Sequence, residues 1–131
     1  MRDLERLASE RFVSLETVRR NGIAVATPVW IAREGEELIV STPAGSGKVK
    51  RLRRDPSVTI RPCDRRGRVR GASAAVAGRA TIVADPSQVQ RLGAVLARKY
   101  RLGYPVVMLI ERLIRRRAGG RVMLRIRLTS D

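Results

Sequence analysis

Asn21-Gly22 lies between two runs rich in apolar residues, 12 to 20 and 23 to 32. No other short pattern in the chain constrains the fold as tightly. A type I′ turn needs positive φ at both central positions, which asparagine and glycine tolerate, so the pair predicts an antiparallel hairpin. In the second run Ile23, Val25, Thr27, Val29 and Ile31 share one face, and Ala24, Ala26, Pro28, Trp30 and Ala32 share the other. Both faces are mostly apolar, which predicts a strand covered on two sides. Within it Pro28 removes a ladder donor, so pairing is expected to lapse nearby. Two readings of Thr27-Pro28 stand: an edge or bulge without a ligand, or a slot beside small Ala24 and Ala26 where a flat ring bonds to exposed main chain.

The remaining pattern is a meander of short strands with helices between them. A turn at Glu34-Gly35-Glu36 leads to a third strand, Leu38 to Thr42, and then to a short helix at 47 to 54 that Asp55-Pro56 ends. Ser57 to Cys63 alternates as a fourth strand, and Asp64 to Gly71 reads as a basic hairpin loop or disordered tip. Ala72 to Val83 is a fifth strand whose Gly78 suggests a bulge or bend of the kind that closes barrels. Asp85 as N-cap and Pro86 at the first helical position open a helix to about Tyr100, and a further helix is expected from Pro105 to about Arg117. Arg121 to Leu128 alternates as a sixth strand with a basic outer face. The expected fold is mainly β with some α, an α+β class, as one domain over 1–131 built on a six-stranded, partly open barrel.

Composition bounds the chemistry. The chain has 131 residues, no histidine and one cysteine, Cys63, so His-based triads, the common zinc sites and an intrachain disulfide are all excluded. An enzyme of this composition would take its chemistry from a bound cofactor. The formal charge of +16 fits nucleic acid, an anionic surface or polyanionic small molecules as partners. Aromatic residues make up 3%, too few for the stacking platforms of single-strand readers. With no apolar run near the roughly 20 residues needed to cross a bilayer, and no signal-peptide pattern at residues 1–6, a cytoplasmic location is expected.

The segment Ser41-Thr42-Pro43-Ala44-Gly45-Ser46-Gly47-Lys48-Val49-Lys50-Arg51 is the strongest candidate site. It is a turn-rich loop opening a helix, with Lys48 in the first turn, where the helix dipole disfavours a cation. No Asp or Glu lies between Glu37 and Asp55 to compensate. Free amides, glycines, the Ser46 hydroxyl and a lysine together make a phosphate cradle; the alternative is a solvated helix start.

The runs Ala24 to Trp30, Val40-Ser41-Thr42, Gly45 to Arg53, Pro56 to Ile60 and Pro62-Cys63 resemble the pyridoxamine phosphate oxidase-like split β-barrel superfamily. Within it the match is to the deazaflavin-dependent oxidoreductases. The resemblance covers roughly residues 10 to 128 and implies a homodimer with a cofactor, coenzyme F420 or FMN, at the subunit interface; some branches bind haem or biliverdin. It implies that Ala26, Thr27, Pro28 and Val29 face the tricycle. Ser41, Thr42, Ser46 and Lys48 would hold the phosphate, helped by the main chain of Val49. Lys50, Arg51 and Arg61 are secondary cations. Flavin members often carry Arg-Lys where this chain has Gly47-Lys48, a departure that favours F420 over FMN. The implied activity is hydride transfer to or from an unsaturated small molecule, with the proton from solvent, Tyr100, Tyr104 or Cys63. A cofactor or tetrapyrrole carrier without turnover, and a basic module for nucleic acid or an anionic surface, are the competing readings. Most of the carboxylates are expected to be solvated.

Overall fold

The computed structural model describes residues 2–69, 74–100 and 120–129. In chain order the elements are α1 (Asp3–Ala8), β1 (Phe12–Val18), β2 (Ala24–Val29), β3 (Ala32–Glu34), β4 (Glu37–Pro43), α2 (Gly47–Arg54), β5 (Ser57–Cys63), β6 (Val76–Val83), α3 (Pro86–Lys99) and β7 (Arg121–Leu128). The strands form one antiparallel sheet of seven, in the order β2-β1-β5-β6-β7-β4-β3. This is a split β-barrel of the α+β class. The expected helix at 105 to 117 lies outside the described residues, as does the start of the expected fifth strand at 72 and 73.

The seventh strand arises because the run from 23 to 32 is divided. Its first part pairs with β1 at one end of the sheet order and its second part with β4 at the other. Only Trp30 and Ile31 join them. Ile31 donates its N–H to the Tyr100 hydroxyl at 2.9 Å, and its carbonyl accepts from Lys99 at 2.6 Å. The last turn of α3 and its cap thus satisfy the backbone where it leaves one edge for the other.

Two further expectations on this run are corrected. β2 is not covered on two sides: Ala24, Ala26 and Pro28 are exposed and Ile23 is 58% exposed. Pairing does not lapse at Pro28, since the register with β1 runs through Ser14↔Pro28 to Val13↔Val29. β2 pairs with β1 alone, and an edge strand can place a missing donor on its open side. The hairpin itself is present, with a different turn. Arg19 donates to Ile23 at 2.9 Å and Gly22 to Arg19 at 2.8 Å, and Gly22 has φ +86° while among the described residues no non-glycine has positive φ. That is a three-residue loop with glycine in the left-handed position, one residue longer than a type I′ turn allows.

The core has two parts. Val13, Leu15, Val40, Val58, Ile60, Leu124 and Ile126 line the inner face of the curved sheet, closed by Leu4 and Leu7 of α1 and Leu52 of α2. On the outer face α3 lays Leu92, Leu96 and Tyr100 against Ala32, Ile39 and Met123. α3 starts at an Asp85 cap accepting from Gln88 N–H at 3.1 Å. Gly78 is no bulge: it stands in register with Val58 and Leu128, and a Cβ there would meet the Arg127 carbonyl at 3.0 Å. The strands simply pass too closely for a side chain. The basic tip is an ordered turn through residue 69, with Asp64 Oδ1 accepting from Arg66 N–H at 2.8 Å and Arg68 N–H at 3.0 Å. Two of the carboxylates are less solvated than their settings suggest: Glu34 pairs with Arg125 (3.0 Å) and Arg91, and Glu37 with Arg125 (2.7 Å).

Candidate cofactor site

β4 delivers the chain to the site and α2 carries it away. Ala44 N–H bonds the Gly120 carbonyl at 2.9 Å, tying the loop to the start of β7, and Ser46 N–H bonds Pro43 at 3.0 Å to close the turn. Ser46 caps α2: its Oγ accepts from Val49 N–H at 3.4 Å and stands 3.2 Å from Thr42 Oγ1. The capping bond is long for an amide donor, so an anion competing for that amide gives up little.

No acidic residue occupies the first turn of α2. Lys48 is half-buried there, and its pKa is lowered by loss of solvent first, then by the positive charges of Arg51 and Arg121. Three cations therefore act on one another with no carboxylate among the causes. Arg51 Nε donates to Thr17 Oγ1 at 2.7 Å, and Arg121 Nε to Ser41 Oγ at 2.7 Å.

Thr17 connects this cradle to β2. It stands opposite Val25 in the β1–β2 register, two residues from Leu15, which stands opposite Thr27. Thr17 and Thr27 thus lie on one face of the sheet. Thr27 Oγ1 is buried with no hydrogen-bond partner among the described residues. Leaving such a hydroxyl unsatisfied costs about 1–3 kcal/mol, and orphans of this kind mark places where a ligand or water belongs. Val29 is half-buried on the same face, whereas Ala26 and Pro28 are exposed on the other.

Of the residues singled out from the sequence, the structure gathers Ser41, Thr42, Ser46, Lys48, Val49 and Arg51 at the start of α2. Ala26, Thr27, Pro28 and Val29 follow on the edge strand, joined to the cradle through Thr17. Lys50 is exposed. Arg61 is elsewhere: it is ion-paired with Glu16, on the face turned away from Thr17 and Arg51. Its charge has a partner already, so it is not a cation of the cradle.

Over residues 3–130 the sequence matches the family described as pyridoxamine 5′-phosphate oxidase. The chain belongs to this family. No curated protein matches it. Among solved structures it is similar to the conserved hypothetical protein Rv2991 from Mycobacterium tuberculosis, at 26% identity and TM-score 0.70, covering 98% of this chain and 81% of that one. It shares its fold with an F420 reductase, at 20% identity and TM-score 0.62, covering 99% of this chain and 96% of the other. It also shares its fold with HutZ, the heme storage protein of Vibrio cholerae, at 14% identity and TM-score 0.68, covering 97% and 87%.

In this pyridoxamine 5′-phosphate oxidase family member the donor set fits a phosphate-bearing cofactor. Hydroxyls, helix amides and three cations converge at a helix start whose first turn holds no acidic residue, beside a strand with a hydroxyl orphaned among the described residues. Two participants were not singled out in the sequence. Arg121 reads there as the first outward residue of an alternating strand, and Thr17 carries no signal of its own within the run from 12 to 20. Pairing across strands far apart in sequence brings them in. Tyr100, weighed as a proton source, is held otherwise: it accepts from Ile31 N–H, its hydroxyl lies 2.8 Å from the Arg11 carbonyl, and burial pushes its pKa up to about 12. Cys63 is buried, and Tyr104 lies outside the described residues.

Proposed function

We propose that the chain is an oxidoreductase that uses the deazaflavin coenzyme F420. Carrying this reading is the convergence of Lys48, Arg51 and Arg121 at the start of α2, whose first turn holds no acidic residue, on the sheet face that holds the Thr27 hydroxyl, unpartnered among the described residues. When bound, the deazaflavin supplies hydride transfer to or from an unsaturated small molecule. Ser46, Thr42, Lys48 and the first amides of α2 would hold its phosphate, with Ser41 orienting Arg121. Thr27 would donate to the polar edge of the ring, and Val29 would exclude water beside it. The protein's contribution is position and electrostatics. With Tyr100 bonded to backbone and Cys63 buried, solvent or Tyr104 would supply the proton. The exposed small face of β2, Ala24, Ala26 and Pro28 beside Ile23, suits a second copy of the chain, as a homodimeric site requires.

Titrating wild type and Lys48→Ala with F420 and with FMN, read by fluorescence quenching, tests the assignment. A charge-assisted contact is worth about 1.5–3 kcal/mol, so Lys48→Ala is expected to weaken F420 binding by about tenfold to a hundredfold. Tight FMN binding with no response to F420 overturns the choice of cofactor. A Lys48→Ala protein that binds as well as wild type overturns the site.

A further inference from the structure

Arg51 makes an unusual choice of place. Side chains on a helix lean toward its N-terminus, and residues four apart are neighbours, so Arg51 reaches back over Gly47. A Cβ on Gly47 would lie 2.7 Å from Arg51 Nη1 and 3.4 Å from Cζ. Glycine leaves that space open, and a methyl group would push the guanidinium, the mobile end of a long side chain, off this position. The position is electrostatically adverse, because it sets a second cation over the positive end of the helix dipole, beside Lys48. Some arginines, Arg2, Arg6, Arg33, Arg61, Arg91 and Arg125 among them, are within ion-pair distance of a carboxylate. Arg51 has no such pair among the described residues, and what fixes it is the neutral Thr17 hydroxyl, 2.7 Å from Nε. That bond directs the Nη edge over the first turn of α2, where a guanidinium offers two parallel donors to a phosphoryl group.

We propose that Arg51 is the specificity-determining cation of the cradle, with Gly47 as the vacancy that admits its guanidinium and Thr17 as the positioning residue that aims it at a phosphoryl group. The assignment rests on the F420 reading for the identity of the ligand, though not for its chemical class. Binding of F420, of its phosphate-free deazaflavin riboside and of inorganic phosphate is measured on wild type, Arg51→Met and Gly47→Ala. Phosphate binding is read as a rise in melting temperature over chloride at matched ionic strength. Arg51→Met keeps much of the packing and removes the charge; Gly47→Ala keeps the charge and displaces it.

Both variants are expected to lose F420 affinity, Arg51→Met by about tenfold to a hundredfold, while riboside affinity stays at the wild-type value and the phosphate-induced shift disappears. Equal losses for F420 and the riboside would make Arg51 a structural residue only and overturn the proposal, as would wild-type F420 affinity in Arg51→Met. If wild type does not bind F420, the reading of the cofactor fails and the phosphate shift alone judges Arg51. Its loss in both variants then supports the role, and its persistence, or its absence from wild type, overturns it.

Discussion

Lys99 donates to three carbonyls at once, those of Ala8 at 2.7 Å, Glu10 at 2.6 Å and Ile31 at 2.6 Å. All three ammonium protons are used, and together with Tyr100 they pin the loop after α1 and the link between β2 and β3 to the end of α3. Trp30 stacks on the Tyr100 ring with centroids 4.6 Å apart. Burial pulls the Lys99 pKa down to about 8, against a weaker opposing pull from Glu10. A lysine whose folded pKa lies below its unfolded one carries a burden while charged, so this group adds stability as pH rises from about 8 toward 10. Tyr100 works the other way: its pKa, raised to about 12, removes stability once pH passes the ordinary tyrosine value near 10. Urea unfolding between pH 7.5 and 9.5 is expected to show the rising limb in wild type and a flatter one in Lys99→Met, which is also less stable throughout because three carbonyls lose their donor. Identical slopes would mean that Lys99 does not titrate in this window. In the sequence Lys99 is no more than one of three lysines, since its partners lie 68 to 91 positions away.

At the scale of elements, local signals worked where the determinant was local. Asp55-Pro56 ended α2 and Asp85-Pro86 started α3, because such signals are decided within a few residues. Asn21-Gly22 located a hairpin but not its turn, which depends on which residues of the two strands pair. Gly78 likewise read as a bulge, when the reason for glycine is the closeness of β7. Gly78→Ala is expected to destabilise by about 1–3 kcal/mol, read as a lower urea midpoint with unchanged m-value. Its Cβ would meet the Arg127 carbonyl at 3.0 Å and Ile126 Cγ2 at 3.1 Å, and a backbone atom between two ladders has little freedom to give way. A neutral substitution would show that β6 and β7 can part locally.

Across the whole molecule, a net charge of +16 opposes compaction through self-repulsion. The ion pairs relieve it locally, around Glu34, Glu37, Arg91 and Arg125. Exposed pairs contribute little individually, about 0–1 kcal/mol, whereas repulsion sums over the surface. Raising sodium chloride from low concentration to about 0.3 M shortens the screening length to well under 10 Å and is expected to raise the melting temperature. A fall would show that the ion pairs outweigh the repulsion. Among the described residues no helix is long and apolar enough to cross a membrane.

Alternation, caps and composition within short windows were enough for β1, β4, β5, β6, β7, α2 and α3, the exclusion of histidine chemistry, the family resemblance and the loop from Ser41 to Arg51, though not for α1. Only the tertiary structure decided that the run from 23 to 32 serves both ends of one sheet, and that Arg61 belongs to Glu16. It likewise brought Thr17 and Arg121 to the cradle. Each of those outcomes depends on strand pairing between residues far apart in the chain, and register is set by which faces the closed sheet buries, which no local window contains.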